Sequence, residues 1–177
     1  MDEKEFTEEV QQKLQVKLAD YEVLIGENLI YRVIIDDNVE YKPKDPKEPS
    51  RGNLSFQTDL MIKRNKVPLV IIEIKYGKFT THDVLVYSIK AQKHKEIYPY
   101  IRYGLLIGDY KIIYNRFFTH NFGFDFALAI ADTEIGSINK LTRVINAQIE
   151  NAEKLLNILK KGNNVILFNT VIETEYV

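Results

Sequence analysis

The chain has 177 residues, a formal net charge of −1, 45% hydrophobic residues and 28% charged residues, which is typical of one globular domain with a substantial core. This charge argues against a non-specific nucleic-acid binder, which usually carries a basic excess, but it leaves room for a locally basic cleft. The chain has no cysteine for a disulfide framework, its charged N-terminus is unlike a signal peptide, and no apolar run could span a membrane, so we expect a cytoplasmic protein.

The first predicted element is an amphipathic helix over residues 3–19. Its apolar stripe repeats every four residues: Phe6, Val10, Leu14 and Leu18. Its first turns carry a group of glutamates: Glu3, Glu5, Glu8 and Glu9. The helix dipole favours negative charge at this end and accounts for most of them. On a helical wheel, Glu9 flanks the apolar stripe most closely.

Residues 21–35 are predicted to be extended with a turn at 26–28, and a loop rich in proline and charge follows over 36–53. A loop of this length in a compact domain is usually functional or disordered. Three of its cations suit contacts to DNA phosphates: Lys44, Lys47 and Arg51. A solvated surface loop explains them equally well.

Two apolar strands, over residues 54–62 and 69–75, are the most informative part of the chain. The turn-like sequence RNKVP between them predicts an antiparallel hairpin. Because side chains alternate along a strand, Glu73 and Lys75 share one face, and the hairpin brings Asp59 beside Glu73. Buried charges are costly unless they are paired or bind a metal, so the sequence predicts a cluster of two carboxylates and one ammonium group.

Such a cluster has a defined chemistry. Carboxylate oxygens suit Mg²⁺, with Mn²⁺ as a substitute, and such a metal acidifies a bound water and stabilises charge on a phosphoryl oxygen. A neighbouring lysine can orient or activate that water. The structural alternative is an ordinary ion pair of Glu73 with Lys75 and a solvated Asp59. Gln57 lies on the Asp59 face, where a plain polar role is expected more than a contact to DNA.

The later part of the chain alternates between predicted helices and strands. A helix is expected from residue 80 or 81 to 97, and Lys90 and Lys93 in its basic second half could reach a phosphate backbone. The helix dipole explains these cations slightly better. The remaining expectations are strands over 103–107 and 111–118, a strand or short helix over 124–131, a long helix over 135–162 and a closing strand over 164–172. The long helix packs on the sheet by default, with a dimer seam as the alternative.

Asp59, thirteen intervening residues and then Glu73-Ile74-Lys75 resemble the D…(D/E)xK motif of the PD-(D/E)xK nuclease superfamily. This superfamily includes restriction endonucleases, Holliday-junction resolvases and DNA-repair nucleases. Its motif often begins with a proline, where this chain has Thr58. The order of elements over residues 1–115 also fits, but only three residues carry the motif, and its placement on two consecutive apolar strands is what strengthens it.

The resemblance implies an α/β, restriction endonuclease-like sandwich, in which helices flank a mixed central β-sheet. One nuclease-like domain is expected over 1–177, with its core in 1–115 and an added C-terminal helix and strand over about 133–172. In this superfamily a glutamate on the helix before the sheet often joins the metal site. Glu9 is the best candidate, ahead of Glu5 and Glu8.

The resemblance also implies an activity, the Mg²⁺-dependent hydrolysis of DNA phosphodiesters to give 5′-phosphates. Asp59 and Glu73 would ligate the metal with the Ile74 carbonyl, and Lys75 would activate the water. A restriction-type endonuclease acting as a homodimer is the leading expectation, because cutting two strands at a symmetric site suits two-fold symmetry.

Several alternatives remain open from the sequence. A junction resolvase or a repair nuclease uses the same three residues. A catalytically inactive nucleic-acid-binding module, or a protein-interaction domain in which the cluster is only an ion pair, comes from a different class. The sequence distinguishes neither DNA from RNA nor the bases that would be recognised.

Overall fold

The computed structural model describes residues 1–45, 47, 49–50, 52–162, 164–168 and 172–173. Nine strands and four helices are defined within them. Their order is α1 (Glu3–Lys17), β1 (Glu22–Ile25), β2 (Asn28–Ile30), β3 (Ile34–Ile35), β4 (Tyr41–Lys42), β5 (Ser55–Gln57), β6 (Leu60–Arg64), β7 (Val67–Tyr76), α2 (Thr81–Ile97), β8 (Arg102–Gly108), α3 (Asn115–His120), β9 (Phe126–Ile130) and α4 (Ile135–Lys161).

The centre of the fold is a mixed five-stranded sheet in the order β1-β6-β7-β8-β9. The first three strands are antiparallel, because β6 and β7 form the predicted hairpin around a tight turn at Asn65 and Lys66, both with positive φ. The last three strands are parallel, because α2 carries the chain from the end of β7 back to the start of β8. The two short pairs β2-β5 and β3-β4 lie outside this sheet.

Two hydrophobic cores cover the two faces of the sheet. On one face, α1 and α4 pack on alternate residues of β7, namely Val70, Ile72 and Ile74. On the other face, α2 and α3 pack over Ile71 and the odd-numbered residues of β8. β7 is therefore apolar on both sides, as its sequence predicts for a central strand. The chain is an α/β protein in which helices flank a mixed sheet, and this coarse prediction is confirmed.

Three predicted strands were wrong in detail. The strand over 54–62 is two strands, because the N–H and Oγ1 of Thr58 both donate to the carbonyl of Glu27 and turn β5 away to pair with β2. The strand over 111–118 is an irregular segment followed by the short helix α3. In the closing strand over 164–172, residues 164–168 pair with no strand, and 169–171 lie outside the described residues.

The other elements agree with the sequence to within a few residues, including α1, α2, α4 and β8. The run over 124–131, which could be strand or helix, is the strand β9. Within the described residues, no helix combines the length and the apolar character that crossing a membrane requires.

Candidate active site

The predicted carboxylate pair forms where the β6-β7 ladder ends. Leu60 opposite Ile72 is the last register pair, so Asp59 and Glu73 follow it on neighbouring strands. Asp59 Oδ2 accepts a hydrogen bond from the backbone N–H of Ile74 at 2.7 Å. Because the N–H and C=O of a strand residue point to the same side, the Ile74 carbonyl also faces the gap beside Asp59. The structure therefore places Asp59 and Glu73 on neighbouring strands, with Asp59 bonded to the backbone of Ile74.

Glu73 is fully buried, with 0% of its surface exposed. Lys90 Nζ donates to its Oε2 at 2.7 Å, and the Tyr103 hydroxyl makes a hydrogen bond to its Oε1 at 2.6 Å. Burial raises the pKa of Glu73 to about 7, against the opposing charge of Lys90 and with the help of the negative charge of Asp59. Burial also raises the pKa of Asp59 above its ordinary value, although its hydrogen bond to Ile74 opposes the shift.

A buried chain of hydrogen bonds continues from Glu73 through Tyr103 to His94. His94 Nδ1 lies 3.1 Å from the Tyr103 hydroxyl, and His94 Nε2 lies 3.0 Å from the Leu29 carbonyl. Burial lowers the pKa of His94 to about 4, so its neutral ring supplies one hydrogen, which the Leu29 carbonyl accepts. Tyr103 donates its one hydrogen to Glu73 Oε1, so it cannot also donate to His94 Nδ1, and two hydrogens are shared among three contacts.

Lys75 lies on the same face of β7 as Glu73, as predicted, and its partners come from two helices. Its Nζ lies 3.3 Å from Glu3 Oε2 at the start of α1 and 3.9 Å from Asp83 Oδ1 in the first turn of α2. The same Glu3 oxygen accepts from the backbone N–H of Tyr76 at 3.3 Å. Only about a fifth of the Lys75 side chain is exposed, so the ammonium group is held rather than mobile.

The prediction that Glu9 joins this cluster was wrong, because Glu9 faces elsewhere. Its carboxylate accepts hydrogen bonds from Lys13 and from the hydroxyl of Thr133, and these bonds lower its pKa. Glu3 is the acidic residue that α1 brings to the site. A signal for Glu3 existed in the sequence, since it lies one turn before Phe6 and so on the side of the helix that packs on Tyr76.

Tyr87 contributes its ring to the surroundings of both lysines of the cluster. The Nζ atoms of Lys75 and Lys90 each lie 5.9 Å from the centre of its ring, a distance at which an aromatic face attracts a cation. Burial and the surrounding carboxylates raise the pKa of Tyr87, so it remains a neutral phenol. Sequence reasoning missed Tyr87 and Tyr103 as parts of the site and assigned Lys90 to DNA, because nothing in their local pattern reports which strand they face.

An open groove of about 420 Å³ leads to the exposed side of Asp59. The first turns of α1 form one wall and the turn between β1 and β2 forms the other. Its lining residues are Glu3, Lys4, Thr7, Glu8, Ile25, Gly26, Gln57, Thr58 and Asp59. A ligand in this groove would meet Asp59 first, while Glu73 and Lys90 lie behind it in the core. Asp59 thus connects the solvent side of the site to its buried side.

The residues present fit a hard divalent cation in donor type and in charge. Four carboxylates (Glu3, Asp59, Glu73 and Asp83) surround two ammonium groups (Lys75 and Lys90), which leaves a negative excess that a divalent cation would offset. No three His, Asp or Glu side chains of the described residues converge as a metal-binding group. A cation here would therefore be held by Asp59, Glu73 and the Ile74 carbonyl, with water completing the shell, which is the coordination that Mg²⁺ accepts.

The predicted DNA contacts lie in different places. Lys90 was predicted to reach a phosphate backbone, and in the structure its ammonium group turns inward to Glu73. Lys44 and Lys93 are exposed in surface ion pairs with Glu40 and Glu96. Lys47 is exposed, and Arg51 lies outside the described residues.

Among the predicted DNA contacts that the structure describes, Gln57 is the one that lines the groove beside Asp59. It is exposed, lines the groove together with Asp59, and donates from its amide to the Gly26 carbonyl at 2.9 Å. This bond joins β5 to the turn between β1 and β2, and both segments line the groove.

Comparison of the chain with models of known protein families, with curated proteins and with solved structures gives no significant match. The case for a function therefore depends on the residues and on their geometry.

Proposed function

We propose that this chain is a metal-dependent nuclease of the PD-(D/E)xK type, which hydrolyses phosphodiester bonds of DNA with Mg²⁺. The observation that carries the proposal is the end of the β6-β7 hairpin. There Asp59 lines an open groove and accepts the Ile74 N–H, Glu73 lies beside it on the neighbouring strand, and Lys75 lies one strand repeat beyond Glu73. The mixed sheet between helices is compatible with a restriction endonuclease-like sandwich.

Each residue has a role that its position supports. Asp59 and Glu73 would hold the cation, which when bound supplies charge stabilisation at the phosphoryl group and acidifies a water. Lys75 carries a held ammonium group beside the carboxylates, where it would orient the attacking water and offset charge on the phosphate. Glu3 and Asp83 keep Lys75 in this position from two helices, so its side chain loses little freedom when substrate binds.

The proposal extends to the substrate and to the assembly. Lys44, Lys47 and Arg51 on the long loop, Gln57 in the groove and Lys93 on α2 are proposed to contact DNA phosphates, which position a duplex without reading its sequence. We propose a homodimer of the restriction type acting in the cytoplasm, because two copies related by a two-fold axis can cut both strands of a symmetric site. A junction resolvase or repair nuclease is the second candidate, supported by the same hairpin.

A cleavage assay on several substrates tests the proposal. Supercoiled plasmid, a synthetic four-way junction and single-stranded RNA are each incubated with the wild-type protein in Mg²⁺, in Mn²⁺ and in excess chelator. Asp59→Asn is the test variant, and Asp20→Asn, at an exposed position after α1, is the matched control. We expect cleavage that needs the metal and Asp59 and that Asp20→Asn leaves unchanged.

The outcomes separate the candidates. Discrete cuts in plasmid support the restriction type, and cutting of the junction alone supports a resolvase. Cleavage of RNA alone would replace DNA as the substrate. A protein that retards DNA in a gel without cutting any substrate would be a binding module. An ion-pair cluster would give neither binding nor cleavage, and Asp59→Asn would then lower only the stability.

A further inference from the structure

The buried half of the site already holds a cation, namely the ammonium group of Lys90. Lys90 Nζ lies 2.7 Å from Glu73 Oε2, which is an ordinary length for a charge-assisted hydrogen bond. The Lys90 side chain is only 16% exposed and Glu73 is 0% exposed, so water does little to screen this pair. Lys90 therefore supplies Glu73 with the positive charge that a buried carboxylate requires.

The surroundings of Lys90 tie it to Glu73 rather than to solvent. Its charge also acts on Asp59, and its Nζ lies 5.9 Å from the centre of the Tyr87 ring. Its helix α2 is fixed at the start by a capping box of Thr80 and Asp83. Because no second carboxylate of the described residues is in an ion pair with Lys90, its position depends on Glu73.

A divalent cation bound by Glu73 would lie close to this ammonium group. Two like charges at such separation in a poorly screened site repel strongly, and the repulsion falls only if one of them leaves. The Lys90 side chain is long and partly exposed, so it has a path toward the surface that the buried carboxylate lacks.

We infer that Lys90 is an internal counter-ion that competes with the catalytic metal for Glu73. In the metal-free protein it neutralises Glu73 and stabilises the fold, and the cation binds by displacing it. The metal affinity of this site is therefore set below what its carboxylates alone would give. This inference rests on the proposed function, since it concerns the metal of that same site.

The competing role for Lys90 is to hold Glu73 in the orientation that the metal needs. The two roles predict opposite effects when the ammonium charge is removed. A holding residue would weaken metal binding on removal, typically about tenfold or more. A competing counter-ion would strengthen it.

The test is calorimetric titration of the metal-free protein with MnCl₂ at pH 8 and at pH 9, which needs no turnover. Lys90→Met removes the charge and keeps the length of the side chain, and Lys90→Gln also keeps a hydrogen-bond donor for Glu73. Lys154→Met, in an exposed ion pair with Glu150 on α4, is the matched control. We expect both Lys90 variants to bind Mn²⁺ about tenfold more tightly than the wild type and Lys154→Met at pH 9, where Glu73 competes less with protons.

Thermal unfolding of the same proteins gives the second readout. Without metal, both Lys90 variants should have a lower melting temperature than Lys154→Met. Saturating Mn²⁺ should raise the melting temperature more in the Lys90 variants than in the control. If Lys90→Met does not fold, the same comparisons are made with Lys90→Gln alone. Binding in the Lys90 variants that is equal to or weaker than in the wild type would overturn the inference alone. Absence of Mn²⁺ binding in every protein, the wild type included, would overturn the proposed metal site and the inference with it.

Discussion

At the scale of single residues, the site depends on Asp59 standing where a strand ends. Asp59 Oδ2 takes the place of the missing β6 carbonyl and accepts the Ile74 N–H, so a side chain completes the ladder. Asp59 also lines the open groove. The same residue thus closes the sheet and presents a carboxylate to a ligand, which explains why a charged residue is tolerated there at all.

The buried His94 predicts a defined loss of stability in acid. Its folded pKa of about 4 lies below its ordinary 6.5, so between these values the unfolded chain binds a proton that the folded chain refuses. The contribution of neutral His94 to the free energy of unfolding is complete above pH 6.5 and is lost as the pH falls toward 4. The loss amounts to about 3 kcal/mol. We expect His94→Gln to lack this part of the pH dependence.

Urea unfolding of the wild type and of His94→Gln at intervals between pH 7 and 4 measures this difference. His82→Gln, at an exposed position of the same helix, controls for the substitution itself. Parallel curves of unfolding free energy against pH for the wild type and His94→Gln would show that His94 is not held neutral by the fold.

The sequence predicts the three motif residues of the site but not the residues that surround them. Asp59, Glu73 and Lys75 follow from the period of two in a strand and from the turn between the strands, both of which are local. Glu3, Lys90 and Tyr103 come from two helices and a distant strand, and their contacts depend on how far each helix slides along the sheet. A helical wheel gives the rotation of α1 but not this translation, which is why Glu9 was favoured over Glu3.

At the scale of elements, the break between β5 and β6 was hidden because the alternating pattern runs through it. The alternating sequence pattern of residues 54–62 carries no sign of the tertiary bond from Thr58 to Glu27 that interrupts the pairing. The predicted strand over 111–118 was wrong for a different reason. Its short apolar run suits a strand or a buried helix turn equally, and length alone could not decide.

Gly123 joins the segment after α3 to the middle of α2, and its lack of a side chain makes that contact close. A Cβ atom there would lie 2.2 Å from the backbone oxygen of Ser88, which cannot move without disturbing α2. We expect Gly123→Ala to lower the free energy of unfolding by about 2 kcal/mol or more, as overpacking does. Chemical unfolding measures the change.

Gly136 in the first turn of α4 is the matched control, because a Cβ atom at this position would meet no neighbour within 4 Å. Gly136→Ala should be neutral or should stabilise by up to about 1 kcal/mol, since alanine favours a helix. Equal effects at Gly123 and Gly136 would contradict the close packing of this segment on α2.

At the scale of the whole molecule, the coarse fold was predictable because its causes are distributed along the chain. The doubly apolar β7 predicts a strand covered on both faces, and the amphipathic stripes of α1 and α4 predict the helices on one of them. The near-zero net charge is a second global property. It means that any attraction for a nucleic acid must come from the metal and from local cations rather than from the field of the whole protein.

The measurement that tests the central claim most directly is the rate of plasmid nicking in Mg²⁺ by the wild type and by Lys75→Ala. Lys154→Ala serves as the control for loss of a lysine from a surface ion pair. If Lys75 activates water beside a metal held by Asp59 and Glu73, Lys75→Ala should lose about a hundredfold or more in rate while Lys154→Ala cuts as the wild type does. A Lys75→Ala variant that nicks the plasmid at the wild-type rate would contradict the role of Lys75, and a wild-type protein that leaves the plasmid intact would contradict the restriction-type activity.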